Sequence, residues 1–354
     1  MVAPLDWGLG HATRCIPIIS ALIANGFTVF LAAEGAQAQL LRTEFPDLVI
    51  LPLEGYRVRY SKSRWALPLV LLLQMPRLLK TIRKEHQWLS KTIKDHRIDF
   101  VISDNRYGLY SEKVSSVFIT HQLQIKAPFA WLEQIIQRIN YHYINRFTAC
   151  WVPDGYNDNA LAGILSHPLR MPGIPVHYIG LLSRFSETDE VPLFDYCILL
   201  SGPEPQRTLL EEQLIKGLSG IRANCLLVRG KPGDGSELAV PPHIKVKNHL
   251  GGYELEKAIG QSRCIISRSG YTTVMELLSM RKKALLIPTP GQTEQEYIAE
   301  ILREKGACLT VAQEVLDCSK HLPHLTQFEP QPLPLTLFEP GNITILIQQS
   351  VRPH

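Results

Sequence analysis

The sequence predicts an α/β protein with two parallel-sheet domains facing each other across a cleft. Its 354 residues exceed one ordinary domain and suffice for two, each with its own core. Both halves alternate short β-rich runs with helical stretches, the mark of parallel construction. Hydrophobic residues at 45% and charged residues at 20% are ordinary globular composition, which excludes a disordered chain or a fibre. In the first half the strand candidates are Val2–Leu5, Thr28–Ala32, Leu48–Leu51, Phe100–Ser103, Ser116–Thr120 and Ala149–Val152. A helix is predicted over Thr13–Asn25, closed by Asn25-Gly26. In the second half the strands are Tyr196–Leu200, Asn224–Arg229, Ile244–Lys247, Cys264–Ser267, Ala284–Ile287 and Cys308–Thr310. The helices there are Pro205–Gly217, Tyr253–Gly260, Thr273–Ser279 and Thr293–Gly306.

These elements divide the chain into an N-terminal domain over 1–170, a polar, proline-containing linker over 171–192 and a C-terminal domain over 193–320. The remaining 321–354 carry six prolines and the near-repeat Phe-Glu-Pro at Phe328–Pro330 and Phe338–Pro340, and fit neither sheet. No run of eighteen uninterrupted apolar residues is long enough to span a bilayer. The opening residues lack the pattern of a signal peptide. Seven scattered cysteines without a C-x-x-C pair suit reduced thiols and give no support to a zinc site, so a cytoplasmic location is expected.

The net charge of +4 is unevenly spread. Residues 1–166 carry a net +5 and residues 167–354 a net −1. From Arg57 to Arg97 eleven basic residues face only Glu85 and Asp95, a net +9. The same window holds the apolar run Trp65–Leu79, broken by Pro68, Pro76 and Arg77. Apolar surface beside dense positive charge suits contact with an anionic membrane at the inner face of the cell. The plain alternative is a buried helix followed by a solvated basic one. The stretch has no nucleic-acid-binding motif and little aromatic interleaving, so nucleic acid is not an expected partner.

Chemistry is expected at the turns that follow strands, because the carboxyl ends of parallel strands form the ligand crevice. The first is Asp6-Trp7-Gly8-Leu9-Gly10-His11. Gly8 and Gly10 let the backbone turn tightly, and the helix that follows offers its free N–H groups. The dinucleotide fingerprint is incomplete there: Thr13 stands where the third glycine belongs, and the acid at ribose spacing is Glu34 in an alanine-rich loop. His11 is placed as a general base near neutrality, or else as a helix-start residue that orders the loop. Asp104, Asn105, Arg106 and Tyr107 follow the strand at 100–103, and His121 with Gln122 follows the strand ending at Thr120. Asp104 is a second candidate base, with an ordinary turn residue as its alternative.

In the second half, Ser267-Arg268-Ser269-Gly270-Tyr271-Thr272-Thr273-Val274-Met275-Glu276-Leu277 reads as strand end, glycine turn and helix start. Ser269, Gly270 and Thr272 give small groups and backbone N–H donors suited to a diphosphate. Glu276, about one turn in, can accept hydrogen bonds from the two hydroxyls of a ribose. Leu200-Ser201-Gly202 is another strand-end turn, and Pro288–Tyr297 opens one more helix with polar side chains for sugar hydroxyls. Arg184 offers a cation near the domain boundary.

This order of motifs resembles the glycosyltransferases of the two-Rossmann-domain type (GT-B), and among them the MurG-like enzymes of glycosyltransferase family 28. The resemblance runs from about residue 2 to about residue 310 and is most specific in Ser267–Leu277 and Pro288–Ala299. It implies two Rossmann-like domains, with the second holding a nucleotide sugar. His249 and Leu250 would meet uracil and Glu276 the ribose. Ser201, Ser269, Gly270, Tyr271 and Thr272 would meet the diphosphate, with Arg184 near the donor and Gln295 on its sugar. Gly8, Gly10, Asn105 and His121 would face the acceptor. Asp6–His11 and Asp104–Tyr107 depart from the glycine-rich loops of MurG, so the resemblance is to a relative of MurG rather than to MurG itself. The architecture also implies a closing helix that returns to the first domain, which the proline-rich tail does not resemble.

The function so implied is transfer of a hexose or N-acetylhexosamine, with N-acetylglucosamine favoured, from a UDP-sugar to an acceptor hydroxyl. His11, or failing it Asp104, would be the base, with inversion and no metal; the sequence contains no D-x-D motif. No cofactor is expected beyond the donor substrate. The acceptor is open, lipid-linked compounds being favoured by the basic window. The rival readings are a nucleotide-sugar epimerase or hydrolase of the same fold, a non-catalytic UDP-binding protein at the membrane, and a dinucleotide-dependent oxidoreductase.

Overall fold

The computed structural model describes residues 1–57, 67–127, 129–156, 160–202, 204–233 and 235–352, and within these the side chains of all but 67–73 and 75. The chain divides into two compact units. One runs to Arg184 and takes in the tail from Leu335, and the other runs from Phe185 to Pro334.

Among the described residues the first unit is built on a seven-stranded parallel sheet in the order β3-β2-β1-β4-β5-β6-β7. Its strands are β1 (Val2–Pro4), β2 (Phe30–Ala33), β3 (Val49–Pro52), β4 (Phe100–Asp104), β5 (Ser115–Ile119), β6 (Ala149–Val152) and β7 (Val176–Tyr178). The long crossovers between successive strands contain α1 (Leu9–Ala24), α2 (Gly35–Glu44), α3 (Leu67–His96) and α4 (Ala130–Ile144). Strands β1, β4, β5 and β6 are buried almost throughout, as a sheet covered on both faces requires. The strand order reverses between β1 and β4, where Pro4 lies opposite Asp104. That reversal opens a crevice at the carboxyl edge of the sheet.

The second unit repeats the plan with six described parallel strands in the order β10-β9-β8-β11-β12-β13. In chain order these are β8 (Phe194–Leu199), β9 (Cys225–Val228), β10 (Ile244–Lys247), β11 (Ser262–Ser267), β12 (Lys283–Leu286) and β13 (Leu309–Thr310). The helices are α5 (Gln206–Leu218), α6 (Gly252–Gly260), α7 (Tyr271–Ser279), α8 (Thr293–Glu304) and α9 (Cys318–Gln327). Here the order reverses between β8 and β11, with Leu199 opposite Ser267. One core joins Ile198, Leu200, Leu210, Leu214, Leu227, Ile266, Leu285 and Leu322.

The structure corrects the sequence reading at three places. The stretch 171–192 is not wholly linker: its Val176–Tyr178 pairs with β6 as the last strand of the first sheet. Three residues are too few to show a strand period.

The tail from 321 is also structured. Part of it completes α9, whose Leu322 and Leu325 enter the second core. The rest returns to the first unit and ends in α10 (Ile343–Ser350). There Leu337 bridges to Leu181, and the buried Trp151 indole N–H donates to Ser350 Oγ at 2.9 Å. Arg352 donates to the carbonyls of Glu112 and Ser111 at 2.9 and 2.8 Å. Pro330, Pro332 and Pro334 lie between α9 and the return to the first unit, and the closing helix comes after them.

Finally, α1 begins at Leu9 rather than Thr13. Gly8 takes φ +79°, a left-handed conformation that turns the chain directly into the helix. His11 consequently sits in the first helical turn.

Candidate active site

In the first unit the predicted acceptor-side residues gather at the β1/β4 reversal around one carboxylate. Asp104 ends β4 and is 0% exposed. An isolated carboxylate there would be held neutral by the cost of desolvation. Arg14, one turn beyond His11 on α1 and itself buried, prevents this. Its Nε lies 3.1 and 3.0 Å from the two carboxylate oxygens, and its Nη2 also donates to Oδ1. Burial raises the Asp104 pKa, but the Arg14 charge and the hydrogen bonds from Arg14 and His11 outweigh it and hold Asp104 below the ordinary carboxylate range. The Cys15 thiol completes the shell at 3.8 Å from Oδ2.

His11 Nδ1 lies 2.9 Å from Asp104 Oδ2 and 2.9 Å from Arg14 Nη2. One ring nitrogen cannot donate to the first and accept from the second. Donation to an ionised carboxylate is the stronger choice, so Nδ1 carries the proton and Nε2 keeps its lone pair. Burial, then the Arg14 charge, lowers the His11 pKa, with Asp104 opposing. The imidazole is therefore neutral at pH 7, with one nitrogen able to take a proton.

His121 follows β5 and is buried, its Nδ1 accepting from Arg14 Nη1 at 3.2 Å. It belongs to the same cluster and braces Arg14 from the other side. Asn105 takes φ +56°, which asparagine tolerates, and its N–H donates to Ile119 O at 3.1 Å. Gly8 O accepts from Gln37 Nε2 at 2.9 Å, and the Thr13 hydroxyl donates to Gly10 O at 3.0 Å. As a result the whole glycine turn is held. Asp104 has no solvent-facing surface and meets His11 through the Nδ1 contact.

Arg14 was not singled out from sequence; its only signal is its place one turn after His11, on the same helical face. Arg106 was expected at the rim beside Asp104 but is 0% exposed beneath it. Its Nε donates to Glu85 Oε1 at 2.7 Å, and its guanidinium also reaches the carbonyls of Pro4 and Glu54. Glu85 also accepts from Tyr56 Oη at 2.6 Å and from Gly108 N at 3.1 Å. This network locks α3 to the strand ends.

Because Glu85 is turned inward, the exposed charge on α3 is mostly basic: Arg77, Lys80, Arg83, Lys84, Lys91 and Lys94 are exposed, with Asp95 as an exposed acid near the helix end. Arg59, Lys62, Arg64 and Trp65, which belong to the same basic and apolar window, lie outside the described residues. Among the described residues no helix is long and apolar enough to cross a membrane.

In the second unit the predicted donor residues lie along the carboxyl edge of the sheet. Ser201 and Gly202 follow β8, and Gly202 has φ +101°, open only to glycine at low cost. Ser269, Gly270, Tyr271 and Thr272 follow β11 and start α7, so these two turns flank the β8/β11 reversal. Glu276 lies on α7 and is 6% exposed. The buried Arg268 fixes this turn from below, donating to the carbonyls of Ile287, Pro288 and Gln206 and to Gln313 Oε1. Desolvation brings its pKa down to about 10.

Two of the expected donor contacts are committed elsewhere. The Ser269 hydroxyl donates to Gln295 O at 2.8 Å. Gln295 Oε1 accepts from Thr289 N at 2.9 Å while its Nε2 donates to Gln292 Oε1 at 2.6 Å. Both side chains hold the 288–295 loop against the α7 turn. His249 and Leu250 follow β10, two strands from β8 in the sheet order. The loop before them is organised by the buried Arg229, which contacts Asn248 Oδ1 at 2.9 Å and Glu211 Oε2 at 2.8 Å. Arg184 closes the first unit and not the second.

Comparison with known proteins agrees with this layout. Residues 252–332 match the glycosyltransferase family 28 C-terminal domain. A Methanosarcina mazei protein named as an uncharacterized glycosyltransferase is 22% identical over 89% of this chain and 87% of its own length. The Exiguobacterium sp. UDP-N-acetylglucosamine–N-acetylmuramyl-(pentapeptide) pyrophosphoryl-undecaprenol N-acetylglucosamine transferase is 32% identical over 29% of this chain and 30% of its own. Among solved structures, the kitacinnamycin glycosyltransferase superposes with a TM-score of 0.66 at 14% identity, over 99% of this chain and 98% of that one. Acinetobacter baumannii MurG gives 0.56 at 16%, with the same coverage.

The Asp104 cluster makes a prediction of its own. Arg14→Met leaves a buried carboxylate without its cation and is expected to cost about 3–5 kcal/mol of stability. Arg14→Met/Asp104→Leu is expected to cost clearly less than the sum of the two single changes. Urea denaturation of the three variants followed by circular dichroism measures this, and additive losses would contradict the pairing.

The fold is that of the GT-B glycosyltransferases, and the family 28 match with the full-length relatives supports a glycosyltransferase.

Proposed function

We propose that the chain transfers a hexose or N-acetylhexosamine, with N-acetylglucosamine favoured, from a UDP-sugar to an acceptor hydroxyl, with inversion and without a metal. The observation that carries this reading is the His11 Nδ1 contact with the buried Asp104–Arg14 pair, with burial and the Arg14 charge lowering the His11 pKa. A neutral imidazole with a free Nε2 lone pair at a strand-end crevice is a general base at neutral pH. It takes the acceptor proton as the acceptor oxygen bonds to the anomeric carbon and the bond to the UDP oxygen breaks. A single base acting on a direct displacement inverts the centre. Asp104 stabilises the imidazolium that forms and does not itself accept the proton.

On the donor side, the N–H groups at Ser269–Thr273, with Ser201 and Arg184, take up charge on the departing diphosphate where other enzymes use a metal. Glu276 holds the ribose, the backbone at His249 and Leu250 holds the uracil, and Gln295 positions the loop on the donor sugar. The names of the shorter-range relatives, UDP-N-acetylglucosamine transferases acting on pyrophosphoryl-undecaprenol compounds, support this donor and a lipid-linked acceptor. The basic outer side of α3 supports a peripheral position against an anionic membrane at its cytoplasmic side.

Calorimetric titration with UDP, GDP and NAD is expected to show UDP preference, weakened about tenfold or more by Glu276→Ala, as loss of charge-assisted hydrogen bonds requires. Binding indifferent to Glu276 would remove the donor assignment. In turnover of UDP-N-acetylglucosamine, His11→Ala is expected to lower the rate by roughly 10²–10⁴-fold. Because the His11 pKa is lowered, the acid limb of the wild-type profile should fall below the ordinary histidine value of about 6.5. A limb above that value would contradict a base in this environment.

A further inference from the structure

We propose that a buried chain of ion pairs in the second unit, Arg207–Glu211–Arg229, positions the loop after β10 through Asn248 and so sets which nucleobase the donor site accepts. The inference rests on the donor reading above, in which the backbone at His249 and Leu250 meets the base. Arg207 and Glu211 stand one turn apart on α5, and Arg229 follows β9. All three are buried, at 3–4% exposure. Arg207 Nη1 donates to Glu211 Oε2 at 2.9 Å. Arg229 Nε donates to the same oxygen at 2.8 Å, and its Nη2 donates to Oε1 at 3.1 Å. Burial raises the Glu211 pKa, but the hydrogen bonds from Arg229 and Arg207 outweigh it and keep the carboxylate ionised.

One end of the chain is the base loop. Arg229 Nη1 donates to Asn248 Oδ1 at 2.9 Å, and Asn248 Nδ2 donates to Ser236 O at 3.0 Å. The Asn248 carbonyl accepts from Lys231 N at 2.7 Å. Side chain and backbone of Asn248 are therefore both fixed, directly before His249. The other end is the diphosphate side. Arg207 Nε donates to Glu204 Oε1 at 2.7 Å, two residues beyond Gly202, and Arg268 Nη2 donates to the Gln206 carbonyl at 2.8 Å. Polar contacts thus connect the turns after β8 and β11 to the loop after β10. Strand β9 lies between β8 and β10, so the chain crosses two strand spacings, about 10 Å. Apolar residues would stabilise the unit as well as a buried ion chain does; what the chain supplies is a fixed geometry. Uracil and cytosine match in size and differ by exchange of donor and acceptor along one edge. A backbone N–H and C=O distinguish them only while held in place.

The test is calorimetric titration of the full chain with UDP, CDP and GDP in wild type, Asn248→Ala, Asn248→Asp, Arg229→Lys and Glu276→Ala. Asn248→Ala is expected to weaken UDP at least about tenfold while CDP and GDP change little, so that the UDP-over-CDP ratio falls. Arg229→Lys keeps a charge beside Glu211 but loses the fork, and should lower the same ratio. Asn248→Asp keeps an oxygen for Arg229 and should retain it. Glu276→Ala acts on the ribose common to all three nucleotides and should weaken them together. Equal losses for all three nucleotides in Asn248→Ala would mean a merely structural role and overturn the proposal. An unchanged ratio in Asn248→Ala, or a ratio near one in wild type, would overturn it as well. The donor reading fails separately, if UDP binding is absent or indifferent to Glu276, and the proposal falls with it.

Discussion

One buried charge organises the candidate site of the first unit. Asp104 stands at the carboxyl end of a central strand with no access to water, and it stays ionised because Arg14 is buried with it. From that pair follow the tautomer of His11, the place of His121 behind Arg14, and the register between the first helix and the fourth strand. Removing either charge alone leaves the other stranded, so the cluster behaves as a unit. In the proposed reaction such an imidazole is positioned before substrate arrives, the preorganisation that acid–base chemistry requires.

The two units solve the same geometric problem with different chemistry. In each, the strand order reverses beside the first strand, and the turns flanking that reversal hold candidate site residues. In the first unit the turns present a titratable side chain on a buried ionic support. In the second they present backbone N–H groups and small residues, and the support is Arg268, whose donors go mostly to carbonyls. A base needs a tuned pKa, whereas a diphosphate needs fixed dipoles. Each site therefore uses a buried arginine, one to balance a charge and the other to hold a turn.

Most of the fold was legible because buried parallel strands leave short apolar runs and their ends carry Gly, Ser and Asp. The turns at Asp6–His11, Asp104–Asn105 and Ser267–Thr272 were visible for that reason. What escaped was set by distant partners. Val176–Tyr178 becomes a strand only because β6 offers an edge, and 343–350 becomes a closing helix only because Trp151 and Leu181 await the tail. Arg14 looks like one more charged residue in a helix until Asp104, ninety residues away, is brought beside it. Arg106 shows the opposite error: an arginine in a polar turn reads as a rim residue, yet Glu85 draws it inside. Ser269 and Gln295 lie in the expected places, and their hydrogen bonds within the 288–295 loop could not be read from sequence.

The state of His11 tests this picture most directly. Nitrogen-15 NMR of histidine-labelled protein, with the His11 signals assigned through His11→Gln, reports both tautomer and charge. A neutral ring at pH 7 with its proton on Nδ1, lost in Asp104→Asn, is the expected result. A ring protonated on Nε2, or an imidazolium at pH 7, would contradict the arrangement by leaving no lone pair to receive the acceptor proton.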